Sequence, residues 1–158
     1  QMCIRDSPKT YTSAKKVVLK KPTRKGYAFK GWYTDRKCTK KITSIKKGSK
    51  KNYTIYAKWS KVKVKRTTGL KVANTNGKNL VVKYSKVSGA KGYQITYATN
   101  SKFTKGKKVV NTTKRTKTIQ KLKKGKTYYV RVRAYKKDST GRKVYGKYST
   151  VKKIKITK

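Results

Sequence analysis

The sequence predicts a mostly β protein built from two small β domains. Apolar and aromatic residues alternate with polar ones in short runs, which is the pattern of strands with one buried face, and residues that favour turns separate the runs. The chain contains 13 Tyr, 2 Trp and 2 Phe but only 2 Pro. An apolar fraction of 34% approaches the range of disordered chains. The aromatic side chains nevertheless favour a folded protein, because they can fill two small cores.

The charge balance limits the chemistry that the protein can perform. The 158 residues include 41 Lys and 8 Arg against three Asp, with no Glu and no His, for a net charge of +46. Most hydrolytic, transfer and metal chemistry needs a side chain that accepts a proton near neutral pH or binds a cation. We therefore expect a protein that is not an enzyme and uses no cofactor or metal. The predominance of Lys favours diffuse attraction to polyanions, although the same charge also serves as a solvated coat.

Residues 1–7 differ in composition from the rest of the chain. They contain the only Met, one of the two Cys and one of the three Asp, but no Lys. This composition is typical of a translated adapter sequence. We therefore predict that the segment is non-native and leave it out of the predicted domains.

The first domain is predicted over residues 8–60. Alternating runs around Val17 and Tyr27 are followed by a polar turn and by a last run in which Ile55 and Trp59 share one face. This spacing indicates short strands joined by turns.

Two motifs in this region resemble the internalin-type B repeat, also called the Listeria–Bacteroides repeat. They are Gly-Tyr-Ala-Phe-Lys-Gly-Trp at 26–32 and Tyr-Ala-Lys-Trp at 56–59. The resemblance implies a β-grasp-like domain of a secreted or surface protein of bacteria. Members usually begin with a further strand upstream, so we expect a truncated domain with an unpaired sheet edge or a frayed N-terminal stretch. The core positions that the resemblance implies are Tyr27, Phe29, Trp32 and Trp59.

Residues 61–68 alternate apolar and basic side chains without a turn residue. We interpret this segment as a linker between the two domains. The alternative is a strand that prolongs either neighbour.

The second domain is predicted over residues 69–158. About seven short strands within roughly 90 residues indicate a β-sandwich. Three runs each share one face of a strand: Leu80, Val82 and Tyr84; Tyr93, Ile95 and Tyr97; and Tyr128, Val130, Val132 and Ala134. Val109 and Val110 mark a short third strand, and Ile119 and Leu122 lead into the long one. The last strand is made up of Val144, Tyr145, Tyr148, Val151, Ile154 and Ile156.

Three segments of this domain resemble the fibronectin type III domain. They are Leu-Val-Val-Lys-Tyr at 80–84, Gly-Tyr-Gln-Ile-Thr-Tyr at 92–97, and the run from Leu122 to Ala134. The resemblance makes Tyr128 the tyrosine-corner residue, whose hydroxyl bonds to nearby backbone. It also puts Tyr84 where the family has a core Trp, so the Tyr84 hydroxyl needs a partner. The implied core positions are Leu80, Val82, Tyr84, Tyr93, Ile95, Leu122, Tyr128, Val130 and Val132.

One strand carries the candidate binding site. The period of two along residues 128–135 places Tyr129, Arg131, Arg133 and Tyr135 on the face opposite the core. Alternating Arg and Tyr on an open sheet face is what a platform for stacking and phosphate binding would use. The favoured interpretation is that these side chains cover the outer face of the sheet.

For several other motifs, a structural role is a better explanation than binding or catalysis. The Gly-x-x-Gly at 89–92 fits an RNA-binding loop but lies between two strands, so we interpret it as a turn. Trp32, Trp59 and Tyr27 are of the type that stacks on sugars, but they occupy core positions on alternating strands. The remaining polar candidates are isolated: Cys38 is interpreted as a buried or idle thiol, and Asp35 and Asp138 as turn residues.

Together these features predict a non-catalytic fragment of a secreted or wall-associated bacterial protein. Its expected partners are anionic cell-wall polymers or acidic glycans. The alternatives are a nucleic-acid-binding protein and an accessory region of a secreted hydrolase. No run is long and apolar enough to suggest membrane insertion.

Overall fold

The structure is a computed structural model that describes residues 2–5 as a strand and residues 14–158 in full. These residues form fourteen strands and no helix, which confirms the all-β prediction. Contacts divide the chain into one unit of residues 1–62 and 137–142 and a second of residues 63–136 and 143–158. The strands are β1 (Met2–Arg5), β2 (Val17–Val18), β3 (Tyr27–Tyr33), β4 (Lys41–Ile42), β5 (Ser44–Ile45), β6 (Tyr56–Lys61), β7 (Lys71–Thr75), β8 (Asn79–Lys83), β9 (Gly92–Ala98), β10 (Lys108–Thr112), β11 (Thr116–Ile119), β12 (Thr127–Lys137), β13 (Lys143–Tyr145) and β14 (Lys152–Lys155).

The first unit contains an antiparallel sheet with strand order β1-β6-β3-β4 and a separate pair formed by β2 and β5. The buried cluster comprises Leu19, Trp32, Ile55, Ala57 and Trp59, against which Tyr27, Phe29, Ile42 and Tyr53 pack. Of the four aromatic positions predicted for this core, Trp32 and Trp59 belong to the buried cluster, whereas Tyr27 and Phe29 are partly buried and pack against it.

A β-bulge in β3 determines which aromatic residues reach this core. The register against β6 shifts between Phe29, which is opposite Trp59, and Gly31, which is opposite Lys58. Because one extra residue reverses the alternation, Trp32 follows Phe29 on the core side although the two are three positions apart. Gly31 adopts a φ of 136° there, a conformation that L side chains rarely adopt.

The N-terminal edge of this sheet differs from the prediction. Strand β1 pairs antiparallel with β6, from Met2 opposite Trp59 to Arg5 opposite Tyr56. The expected unpaired edge is therefore wrong, since residues of the segment predicted to be non-native occupy that edge. Pairing does not test the predicted origin of residues 1–7, and residues 6–13 lie outside the described part of the chain.

The segment 61–68 is not a free linker. Lys61 is the last residue of β6, and Val64 packs against the core of the second unit. Thr67 is 1% exposed, and Arg66 Nε donates a hydrogen bond to Tyr148 O at 2.8 Å. Apolar contacts and backbone partners thus hold most of this segment on the second unit.

The second unit is a sandwich of two sheets. One has the order β10-β9-β12-β13, with β14 also pairing with β12, and the other has the order β11-β8-β7. The buried cluster between them comprises Leu70, Leu80, Val82, Tyr84, Val87, Tyr93, Ile95, Tyr97, Ile119, Leu122, Tyr128, Val130, Val132, Ala134 and Ile156. All nine predicted core positions of this domain lie in that cluster.

Two tyrosine hydroxyls in this core have backbone partners. Lys123 N donates to Tyr128 Oη at 3.1 Å, which is the tie expected of a tyrosine corner. Tyr84 Oη donates to Lys114 O at 2.8 Å, so the residue in the Trp position has the partner that it needs. Burial raises the pKa of Tyr84, and nearby Tyr93 adds to the effect.

The end of the chain forms two strands where one was predicted. β13 ends at Tyr145 and β14 begins at Lys152, and Ser149 between them exchanges two hydrogen bonds with the backbone of Val132. This local pairing interrupts the regular ladder. Val151, which follows this segment, is 45% exposed. Val109 is 46% exposed because β10 is an edge strand.

Candidate polyanion-binding face of the second unit

The candidate residues lie on the outer face of the sheet that contains β9 and β12. In the register of these strands, Arg131 is opposite Thr96, Arg133 is opposite Gln94, and Tyr135 is opposite Gly92. The strand alternates in burial up to Ala134, so the inner residues fill the core while the two Arg side chains cross the outer face.

Arg133 is held at the centre of this face. Its Nε and Nη2 both donate to Gln94 Oε1, at 2.9 and 2.7 Å. Its guanidinium carbon lies 3.9 Å from the ring centroid of Tyr145 and 4.6 Å from that of Tyr148. Two donors of this cation are therefore engaged within the protein, and two rings lie against it.

Arg131 is enclosed by aromatic rings. Its guanidinium carbon lies 4.1 Å from the ring centroid of Phe103 and 4.1 Å from that of Tyr148. Its Nε is buried without a hydrogen-bond partner among the described residues. Tyr148 thus lies between two guanidinium groups, and the attraction of both cations to its ring fixes the spacing of the two Arg side chains.

Tyr135 lies outside the buried core cluster of the second unit and is covered by its neighbours. It is 9% exposed, packs edge to face with Tyr145 at 5.8 Å, and has Lys143 Nζ 4.7 Å from its ring centroid. A Cβ on Gly92 would lie 2.5 Å from Tyr135 Oη. Gly92 is therefore required for packing, and the Gly-x-x-Gly segment forms a turn in which Ala90 N donates to Val87 O at 3.0 Å.

We refer to this array of alternating cations and rings as the Arg–Tyr stack. Its members in spatial order are Phe103, Arg131, Tyr148, Arg133, Tyr145, Tyr135 and Lys143. The rings are covered by cations or by other rings, which leaves few faces on which a base or sugar could stack. The array resembles a covering of the sheet more than an open binding platform.

Several members of the stack were not predicted as neighbours of the two Arg residues. The sequence pattern predicts Tyr145 and Tyr148 in a single last strand, and Phe103 lies in a loop where no alternation exists. Phe103 has a φ of 58°, and its N donates to Asn100 O at 3.2 Å. The only sequence signal was the spacing of Tyr145 and Tyr148, which is incompatible with one regular inward face.

Tyr129 lies outside the stack. It is partly exposed and opposite Ala98 on β9 and Lys153 on β14. Lys153 and Lys155 are exposed. The solvent-facing cations at this end of the face are therefore lysines, whereas the two central arginines are engaged in the stack.

The carboxylates of Asp35 and Asp138 each stabilise a turn by accepting hydrogen bonds. Asp35 accepts hydrogen bonds from Lys40 N at 2.6 Å and Thr39 N at 3.0 Å, and these bonds lower its pKa. In the first unit, Asp138 accepts from Gly26 N at 2.8 Å and from Thr140 Oγ1 at 2.6 Å, which lowers its pKa to about 2. The described residues contain no cluster of three or more metal-ligating side chains.

Cys38 was predicted to be a buried or idle thiol; it is buried, as predicted, but it is not a thiol. It is 4% exposed and disulfide-bonded. It has a φ of 54° at the end of the turn that Asp35 closes, where Cys38 N donates to Asp35 O at 3.0 Å. The residue therefore stabilises the first unit covalently and has no thiol to react.

Family models match both domains. A fibronectin type III model matches residues 63–147, and a Listeria-Bacteroides repeat model matches residues 5–58. No curated protein matches the sequence. None of the described residues forms a helix of the length and apolarity that a membrane span requires.

Solved structures are similar to this chain at low sequence identity. The chicken CNTN1 FN1-FN3 domains are 19% identical with a TM-score of 0.51, over 68% of this chain and 36% of that one. A Fn3-like protein from Clostridium thermocellum is 23% identical with a TM-score of 0.46, over 58% of this chain and 92% of that one. At these identities the first similarity shows the fold alone.

Proposed function

Since the chain belongs to the fibronectin type III family and carries a Listeria-Bacteroides repeat before that domain, we propose that it is a non-catalytic module of a secreted or wall-associated bacterial protein. Such domains are generally spacers and interaction modules. In this proposal the Lys-rich surface binds polyanions of the cell envelope or acidic glycans and so holds the parent protein against them.

The observation that carries the proposal is uncompensated positive charge. The chain has 49 Lys and Arg against three Asp. Asp35 and Asp138 accept hydrogen bonds from backbone and Thr groups and form no ion pair with a described Lys or Arg. Almost all of the cationic charge is therefore available to a polyanion, whose counterions are released on binding.

The Arg–Tyr stack supports lysine as the contact residue. Arg133 is engaged by Gln94 and two rings, and Arg131 lies between Phe103 and Tyr148. Specific nucleic-acid reading relies on free guanidinium forks and open aromatic faces. This geometry favours charge attraction to a polyanion over nucleic-acid recognition.

Two further observations support an extracellular, non-catalytic role. The disulfide at Cys38 suits an oxidising compartment outside the cytoplasm. The absence of His and Glu from the sequence leaves few groups for general acid–base catalysis.

A competition experiment tests the proposal. The full chain is bound to a labelled poly(glycerol phosphate) chain, and single-stranded DNA or heparin of matched total charge is added as competitor. We expect both to compete within a factor of about three, since the attraction depends on charge density. A strong preference for single-stranded DNA that disappears in the double variant Tyr129→Ala and Arg131→Ala would favour the nucleic-acid alternative instead.

A further inference from the structure

The first unit contains a cleft whose apolar wall is not accounted for by the overall positive charge of the chain. It has a volume of about 740 Å³, within the range of about 300–1,000 Å³ typical of ligand sites. Phe29, Trp32 and Ile42 contribute apolar surface to it, and Lys21, Lys30 and Lys41 contribute cationic side chains. The same place thus offers an apolar wall and several positive charges.

The bulge in β3 forms one wall of this cleft. The register shift between Phe29 and Gly31 leaves Lys30 as the extra residue, and bulges commonly re-aim a side chain beside a binding site. A Cβ on Gly31 would lie 2.9 Å from Lys41 Cε. The missing side chain of Gly31 therefore allows the Lys41 stem to cross the strand.

The aromatic wall is fixed in orientation. Trp32 Nε1 donates to Lys20 O at 2.9 Å, and the Trp32 ring meets Phe29 edge to face at 5.5 Å. Trp59 also meets Phe29 edge to face, at 5.4 Å, but does not line the cleft. The rings are held in place before any ligand arrives, which reduces the ordering that binding requires.

The cleft favours an anionic ligand. The carboxylate that lines it belongs to Asp138, and both of its oxygens accept hydrogen bonds, Oδ2 from Gly26 N and Oδ1 from Thr140 and Arg142. Lys137 also lines the cleft. Four lysines against one engaged carboxylate give a local excess of positive charge.

We propose that this cleft binds a uronate, a pyranose that carries a carboxylate, within an acidic polysaccharide. The C–H groups of a pyranose face pack on the accessible apolar lining of Val18, Phe29 and Ile42, and the carboxylate meets Lys30 and Lys41. A linear polyol phosphate has no ring face to cover this apolar lining. This inference rests on the proposed function, for which it names the ligand class and a site.

The test uses the full chain and tetragalacturonate, with neutral galactotetraose as the control ligand. Titrations are followed by isothermal calorimetry and by the two indole N–H signals in ¹H–¹⁵N spectra, at a salt concentration of about 0.15 M. We expect saturable 1:1 binding of tetragalacturonate that shifts the Trp32 signal more than that of Trp59. Galactotetraose should bind at least about tenfold more weakly because it lacks the charge.

A pair of charge-matched variants separates the site from general attraction. Lys30→Gln with Lys41→Gln removes two cleft cations, whereas Lys46→Gln with Lys47→Gln removes two exposed cations that do not line the cleft. We expect the first pair to weaken binding about tenfold and the second pair less than about twofold. All four residues are exposed, so both variants should fold.

Three results would overturn the inference. Equal weakening by both pairs would mean that charge alone acts, and the proposed function would stand without this site. The same conclusion would follow if tetragalacturonate failed to bind while poly(glycerol phosphate) bound. If neither polymer bound at low salt, the proposed function would fail together with the site.

Discussion

Arg133 Nε and Nη2 donate two hydrogen bonds to one acceptor, Gln94 Oε1, at 2.9 and 2.7 Å across neighbouring strands. The acceptor in turn receives a hydrogen bond from Tyr148 Oη at 3.4 Å. The side chains of β9 and β12 and the segment after β13 are thus linked through a single amide oxygen. This link makes the Arg–Tyr stack a structural element of the second unit.

The first prediction concerns the contribution of this stack to stability. Arg133→Ala should lower the free energy of unfolding of the second unit by about 2–3 kcal/mol, because two charge-assisted hydrogen bonds and two ring contacts are lost. Arg115→Ala is the matched control, since Arg115 is exposed and its removal costs the same charge. Urea titrations followed by tyrosine near-ultraviolet circular dichroism measure both.

The same pair of variants tests the role of the stack in binding. If the stack is structural, both variants weaken polyanion binding equally, by the effect of one lost charge. A much larger loss of affinity in Arg133→Ala than in Arg115→Ala, with the fold retained, would show that the arginine contacts the ligand.

The second prediction concerns the tyrosine corner. Tyr128→Phe removes the acceptor of Lys123 N and should lower the free energy of unfolding of the second unit by about 1 kcal/mol. Tyr129→Phe is the control because no hydrogen bond of the Tyr129 hydroxyl is present among the described residues. Equal midpoints for the two variants in urea would contradict the structural role of the Tyr128 hydroxyl.

The third prediction concerns the disulfide of the first unit. Reduction, or the substitution Cys38→Ser, should lower the free energy of unfolding of this unit by about 2–4 kcal/mol and leave the second unit unchanged. Tryptophan fluorescence reports on the first unit alone, because both Trp residues of the chain, Trp32 and Trp59, lie there. We expect the reduced protein to lose this signal at a lower temperature than the tyrosine signal of the second unit.

The opposite order of melting in the reduced protein would contradict this account. So would a tryptophan melting curve that is unchanged by the reductant, since it would mean that the turn at Cys38 is held by noncovalent contacts.

The fourth prediction concerns acid stability. The ordinary pKa of 3.8 of Asp138 falls to about 2 in the folded protein, and backbone hydrogen bonds also lower the pKa of Asp35. A depressed folded pKa means that the stabilisation is fully present above the unfolded value and is lost as the pH falls from about 4 to about 2. With no Glu or His in the chain, we expect little change between pH 5 and pH 8.

Thermal melts of the first unit from pH 2 to pH 8 measure this dependence. Asp138→Asn should flatten the fall between pH 4 and pH 2, because the variant has no carboxyl to protonate there. A steep loss of stability above pH 5 would be inconsistent with these assignments.

Strand content and inner faces were predictable where alternation is regular. The period of two along β12 identified Tyr128, Val130 and Val132, all of which are buried. Alternation gives no information on features that depend on distant partners. The stacking of Phe103 on Arg131 depends on a loop conformation, and the pairing of β1 with β6 was obscured by the unusual composition of residues 1–7.

The bulge in β3 shows a second limit of sequence patterns. Strict alternation from Tyr27 through Phe29 places Gly31 on the inner face, but the register shift turns Trp32 inward. The cleft beside it was therefore not predictable, since its cationic residues come from separate segments that only the fold brings together.

The central claim is that a cationic surface acts by charge contact, and the salt dependence of binding tests it most directly. The affinity of the full chain for a poly(glycerol phosphate) chain should be measured from about 0.05 to 1 M salt, where the screening length shortens from more than 10 Å to about 3 Å. The account predicts a linear fall of the logarithm of the association constant with the logarithm of salt concentration, and a loss of at least about a thousandfold. An affinity that stays constant across this range would contradict it.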